Sequence, residues 1–177
     1  MSRDFSTIEA AVAAIARGEM IIVVDAEDRE NEGDFVCAAE KVTPQIVNFM
    51  ITHGRGQLCM PVLPEVCERL KLAPMVEVNN APLGTSFTVP IDHRTARTGI
   101  TAHERAFTIT EVVNPASKAT DFVRPGHLFP LIAKEGGVLL YLRQEGRGIG
   151  AHGRADVAAL DVEHGEQSAL PAGREDL

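Results

Sequence analysis

The sequence predicts mixed α and β elements packed in layers in a single domain, and three observations carry that expectation. Its 177 residues, with 45% apolar and 24% charged side chains, have the proportions of an ordinary globular chain of one-domain size. Short β-branched runs alternate with stretches in which apolar residues recur at helical spacing. Helix-start signals open several of those periodic stretches.

Ser6-Thr7-Ile8-Glu9 reads as a capping box, and Ile8, Val12 and Ile15 then repeat at helical spacing until Gly18 offers a stop. Met20 to Val24 is a brief β-branched run that ends in charge, as a buried strand does where it emerges into a loop. Thr43-Pro44 is an N-cap followed by proline at the first helical position, with Ile46, Val47, Met50 and Ile51 as the apolar stripe up to Gly54. Gln57 to Val62 and Ser86 to Ile91 read as strands. Thr101-Ala102-His103-Glu104 is a second capping box, opening a helix through about Val112 that Asn114-Pro115 closes. Leu128 to Ala133 and Val138 to Leu142 read as two short strands flanking a tight-turn sequence, Glu135-Gly136-Gly137. Beyond Leu142 glycines crowd in while large apolar residues become scarce, which predicts a loosely docked tail.

Composition narrows the function. Seventeen Lys and Arg against 25 Asp and Glu give a formal charge of -8, the opposite of a nucleic-acid binder's footprint. No apolar run approaches the ~20 residues of a membrane-spanning helix, and the N-terminus has no signal-peptide core. Three cysteines without a C-x-x-C pair suggest neither a disulfide framework nor a zinc knuckle, which makes the cytosol the expected compartment.

The most informative segment, Asp25 to Asp34, directly follows the first strand and holds six carboxylates in ten residues. Such a group repels itself unless it is solvated or neutralised by a cation. A loop at the carboxyl end of a buried strand is a frequent ligand site. Mg²⁺, which takes one or two carboxylates and keeps waters for a substrate to replace, suits it. Arg124-Pro125-Gly126-His127 precedes a strand, and a histidine at such a turn is a candidate general base near neutral pH. Cys59, inside an apolar strand, reads as an inert buried thiol.

The strings DAEDRENEGD, HGRGQLCMPV, LGTSFTVPID, RTGITAHER and RPGHLFPLIAKEGGVL, in this order and spacing, resemble the 3,4-dihydroxy-2-butanone 4-phosphate synthases over Phe5 to about Leu139. The resemblance implies an α+β fold, a single mixed-sheet domain with flanking helices. It also implies a homodimer with its sites near the subunit interface, and a lyase that converts D-ribulose 5-phosphate to 3,4-dihydroxy-2-butanone 4-phosphate and formate for riboflavin biosynthesis. The implied cofactor is Mg²⁺, with Mn²⁺ as the alternative ion. Carried over residue by residue, Glu30 becomes the metal ligand, Arg29, Glu30 and Asp34 become substrate contacts, and His127 becomes the essential catalytic group.

The resemblance breaks after GGVL. The family continues into Gly-His-Thr-Glu-Ala and a helix, which would supply a second metal histidine, a phosphate-gripping loop and a second catalytic glutamate. Here Leu140 to Gly150 instead resembles GTP cyclohydrolase II, without the cysteines of that family's zinc site. The expectation is a synthase-like part over residues 1–139, truncated at its end, and a degenerate cyclohydrolase-like tail over 140–177. Impaired synthase activity follows, with His152 a candidate replacement for the lost histidine. The rival readings are a cyclohydrolase remnant and an inactive, dimerising homologue.

Overall fold

The computed structural model describes residues 5–24, 33–133, 139–143 and 156–160, the last two segments as backbone only. Strands β1 (Met20–Val24), β2 (Gly33–Ala38), β3 (Gln57–Val62), β4 (Ile91–His93), β5 (Phe122–Ile132), β6 (Leu139–Arg143) and β7 (Asp156–Leu160) form one sheet in the order β4-β5-β3-β6-β2-β1-β7. The β3–β5 pair is parallel and every other pair is antiparallel. With helices α1 (Ile8–Arg17), α2 (Pro44–Phe49), α3 (Pro64–Leu70) and α4 (Ala102–Val113) against it, the sheet makes the expected α+β layered architecture.

Helix α1 starts one residue later than its capping box suggests, because Thr7 rather than Ser6 is the N-cap and its hydroxyl accepts from the Ala10 N–H at 3.2 Å. Gly18 closes the helix in the left-handed region at φ +90°, as its position foretells. The buried face is the small one. Ala11 and Ala14 pack with Ile21 and Val36, while Ile8 and Val12 stay largely exposed. Close approach to the sheet through alanines turned the helix away from its larger residues.

The main core lies on the other face of the sheet. Leu58, Met60 and Val62 of β3, Ile91 of β4 and Leu128 of β5 meet Ile46 and Val47 of α2 and Ile109 and Val112 of α4. Each such side chain contributes about 1.5–3 kcal/mol by leaving water. The Thr43 hydroxyl caps α2 at Ile46, and a single π-helical turn, Met50–Gly54, carries the helical run on to Gly54. Helix α3 has no counterpart in the sequence expectations, although Pro64 at its first position and Cys67 and Leu70 on its buried side carry the signal. Arg69 of α3 donates to the carbonyls of Val112, Asn114 and Ser117, so a guanidinium closes the C-terminus of α4.

Three other expectations change. The strand expected over Ser86 to Ile91 is reduced to bridges at Phe87 and Thr88, and β4 begins only at Ile91, after Pro90. Arg124 to His127 is not a turn before a strand but lies inside β5, with a cis Arg124–Pro125 bond. The segments read as strands around Glu135-Gly136-Gly137 are not hairpin partners, because β3 stands between β5 and β6. The turn itself lies outside the described residues.

The start of the tail is not peripheral. Strand β6 is paired on one side with β2, Leu142 facing Phe35, and on the other with β3, Leu142 facing Leu58. Among the described residues it is the element joining the β4-β5-β3 half of the sheet to the β2-β1-β7 half. Tyr141 sits mid-strand with Val36 and Cys59 as its partners. Tyr141→Pro removes a backbone donor from a strand flanked on both sides. It is expected to abolish the cooperative thermal transition seen by circular dichroism, whereas a strand that only fringes the sheet would tolerate it.

Candidate active site

The site residues start from one row of the sheet. Phe35 on β2, Leu142 on β6 and Leu58 on β3 are paired across, and the next parallel pair, Cys59 with Phe129, sets the level of β5. Asp34 and His127, each just before these positions, therefore stand at the same end of the sheet. Between them lie two strands, so three strand spacings of ~4.8 Å separate them by ~14 Å. Asp34 alternates with core-facing Phe35, and His127 with fully buried Leu128, so both side chains belong to the face opposite the main core. Arg29 and Glu30 lie outside the described residues, as does His152. The loop that holds Arg29 and Glu30 leaves at Val24 and returns at Gly33, which are paired.

His127 is held by one carboxylate. Its backbone N–H donates to Asp92 Oδ1 at 2.9 Å, and its Nδ1 lies 2.8 Å from Asp92 Oδ2. The imidazole side chain is 41% exposed whereas the Asp92 side chain is 8% exposed. A carboxylate accepts, so Nδ1 directs its N–H at Asp92, and among the described residues Nε2 has no hydrogen-bond partner.

The turn from β4 into α4 closes around Asp92. The register of β4 on β5 shifts between Ile91 and Asp92, and Gly126 lies so close to the Ile91–Asp92 peptide that a β-carbon there would collide with it. Gly99, at φ +75°, abuts the Asp92 carboxylate in the same way. Glu104 fixes that turn from below. It accepts from the Arg97 N–H at 2.6 Å, from the Thr98 hydroxyl at 3.1 Å and from the Thr101 hydroxyl at 3.0 Å. These bonds to its charged form, the Arg97 N–H first, lower its pKa to about 2. Arg105, the next residue, is partly buried, with its Nε lacking a hydrogen-bond partner among the described residues. Burial lowers its pKa, and the nearby Asp92 charge opposes that shift.

Asp92 is the residue that sequence reasoning missed. The signal was present, since an acid directly ending the apolar run Phe87 to Ile91 is the same pattern that drew attention to Asp25 after β1. The thiols are not available as ligands. Cys37, Cys59 and Cys67 are all buried, and burial pushes Cys37 up to about 12. Among the described residues no three His, Cys, Asp or Glu side chains are grouped to hold a metal. Among the described residues Asp34 brings a carboxylate to this end of the sheet, an oxygen donor of the kind Mg²⁺ takes, while the buried thiols offer no thiolate zinc site.

The family profile for 3,4-dihydroxy-2-butanone 4-phosphate synthase matches residues 9–146. The chain belongs to that family. Riboflavin biosynthesis protein RibBA of Bacillus mycoides (strain KBAB4) is 59% identical over 135 residues, and RibBA of Bacillus subtilis (strain 168) is 58% identical over 135 residues. In each case the match covers 76% of this chain and 34% of the relative, so the chain spans about a third of the length of these curated relatives. RibBX, a two-domain synthase from A. baumannii, is similar in structure with a TM-score of 0.74 and 37% identity, over 84% of this chain and 50% of that one. A synthase in complex with two magnesium ions gives a TM-score of 0.74 and 32% identity, over 89% of this chain and 87% of that one. The match favours the synthase reading over the cyclohydrolase alternative and reaches seven residues past Leu139.

Glu104 makes the site turn acid-sensitive. With its folded pKa near 2 and its ordinary value at 4.5, its stabilising contribution is complete above pH ~4.5 and is lost as pH falls toward 2. The melting-temperature difference between wild type and Glu104→Gln is expected to be largest at neutral pH and to shrink through that window. A difference independent of pH would show that the carboxylate does not anchor the turn.

Proposed function

We propose that this chain converts D-ribulose 5-phosphate to 3,4-dihydroxy-2-butanone 4-phosphate and formate, at a rate lowered by the missing Gly-His-Thr-Glu-Ala segment. The observation that carries the reading is His127, an imidazole on a family string whose Nδ1 is engaged by Asp92 and whose side chain is 41% exposed. Abstraction of a proton from the carbon next to the ketone needs a base of this kind within reach. Nε2 receives that proton and can return it as the carbon skeleton rearranges.

Arg29 is proposed to meet substrate oxygens, phosphate or hydroxyl, and Asp34 to accept from a substrate hydroxyl. Glu30 is the proposed metal ligand and also faces the substrate. Mg²⁺, or Mn²⁺, when bound supplies Lewis-acid stabilisation of the enediolate charge. The partner is thus a small sugar phosphate, with no role for nucleic acid or membrane. Among the described residues no helix is long and apolar enough to cross a membrane, and the cysteine usage supports a cytoplasmic setting. The proposed division remains a synthase-like part over 1–139 and a tail over 140–177.

The ~14 Å between Asp34 and His127 supports a homodimer with sites at the subunit interface, where one copy's acidic loop can face the other's histidine. Sedimentation is expected to give twice the monomer mass, and mixing Glu30→Ala chains with His127→Ala chains is expected to restore formate release that neither has alone. A clean monomer, or no restoration on mixing, would remove the shared site.

Formate release from ribulose 5-phosphate with Mg²⁺ tests the activity itself. The chain is expected to be at least ~10- to 100-fold slower than a repaired chain in which Leu140 onward is replaced by the family's missing segment and helix. His127→Ala should abolish the remainder, and His152→Ala tells whether that residue stands in for the lost ligand. Absence of formate from the repaired chain would make this an inactive homologue.

A further inference from the structure

We propose that Asp92 is the positioning residue for His127, a carboxylate that fixes the tautomer and direction of the imidazole from a seat kept open by Gly99. The inference rests on the reading of His127 as the proton-transfer group.

Both oxygens of Asp92 are committed. Oδ1 accepts from the His127 backbone N–H and Oδ2 from Nδ1, so the carboxylate cannot rotate without giving up one of the two bonds. A backbone bond and a ring bond to the same residue fix where the side chain starts and which nitrogen faces away. An imidazole free to exchange tautomers would spend part of its time with the wrong nitrogen protonated.

The seat has three sides. Gly99 touches the carboxylate where any β-carbon would displace it, and Gly126 lies on the Ile91–Asp92 peptide. The turn carrying Gly99 is tied at Arg97 and Thr98 to Glu104, and Arg105 on the next position of α4 sets a positive charge against Asp92. A carboxylate that is 8% exposed needs such compensation, because burying an unpaired charge is costly. The strings RTGITAHER and RPGH therefore meet at one group, which neither touches in sequence. A purely structural role, in which Asp92 only stitches β4 to β5 across their register shift, would need the backbone bond but not the ring bond.

The test uses the full chain labelled with ¹⁵N-histidine, with the His127 signals identified by their loss in His127→Gln. Wild type is expected to show a protonated Nδ1 and a bare Nε2. Asp92→Asn, close to isosteric, places an NH₂ where one acceptor stood, so it cannot receive both bonds. Gly99→Ala pushes the carboxylate out while leaving every polar group in place. Both variants should show mixed tautomers at His127, and both should lower kcat for formate release at least ~10-fold with KM little changed.

An unchanged tautomer in both variants, even with a lowered melting temperature, would overturn the proposal and leave Asp92 as a stitch. If Gly99→Ala fails to fold, Asp92→Asn alone decides. Should the wild-type chain release no formate, the activity reading fails while the nitrogen signals still judge the Asp92–His127 pairing, so the two failures are distinguishable.

Discussion

The bond pair between Asp92 and His127 joins parts of the chain that are 35 residues apart, and much of the geometry around the site exists to allow it. A charged group this buried is tolerated only with partners on every side. It receives two N–H groups from β5 and a neighbouring guanidinium from α4, and Gly99 leaves room for it. The capping box at Thr101 starts α4 and, through Glu104, also holds the turn that bears Gly99. Helix initiation and site construction are thus one set of hydrogen bonds.

A second constraint is the central seam of the sheet. The parallel β3–β5 pair carries His127, the antiparallel β1–β2 pair carries the two ends of the acidic loop, and β6 bridges them. The residues of β6 lie within the family match, close to its end at residue 146. Five residues of backbone pairing need no particular side-chain identity beyond strand-forming character, which Leu139 to Arg143 has. Leu139 to Arg143 therefore complete this sheet through backbone pairing alone.

Similarity to the synthases is strong in sequence and in shape. The family match says how the chain folds and which strings it retains. Chemistry depends on a smaller set of side chains, and the proposed set here is His127 with the acidic loop. Fold and competence are separable because packing tolerates the loss of polar loops that catalysis does not.

The local elements were legible in the sequence wherever the determining forces are local. Thr43-Pro44, Thr101 with Glu104, Gly18 and the run Gln57 to Val62 each encode their own geometry within a few residues, and the structure follows them. His127 was legible as a candidate from its own chemistry. The buried face of helix α1 and the extent of the Ser86 to Ile91 strand were not: the preference for Ala11 and Ala14 over Ile8 and Val12 depends on how near the sheet lies, and the late start of β4 on which neighbour Phe87 and Thr88 meet. Asp92 belongs to the same class. Nothing in Ile91-Asp92-His93 states that a histidine 35 residues later and a glycine seven residues later will converge on its carboxylate. Only the sheet order, which sets non-local neighbours through pairing and burial that no short window of residues contains, could decide that.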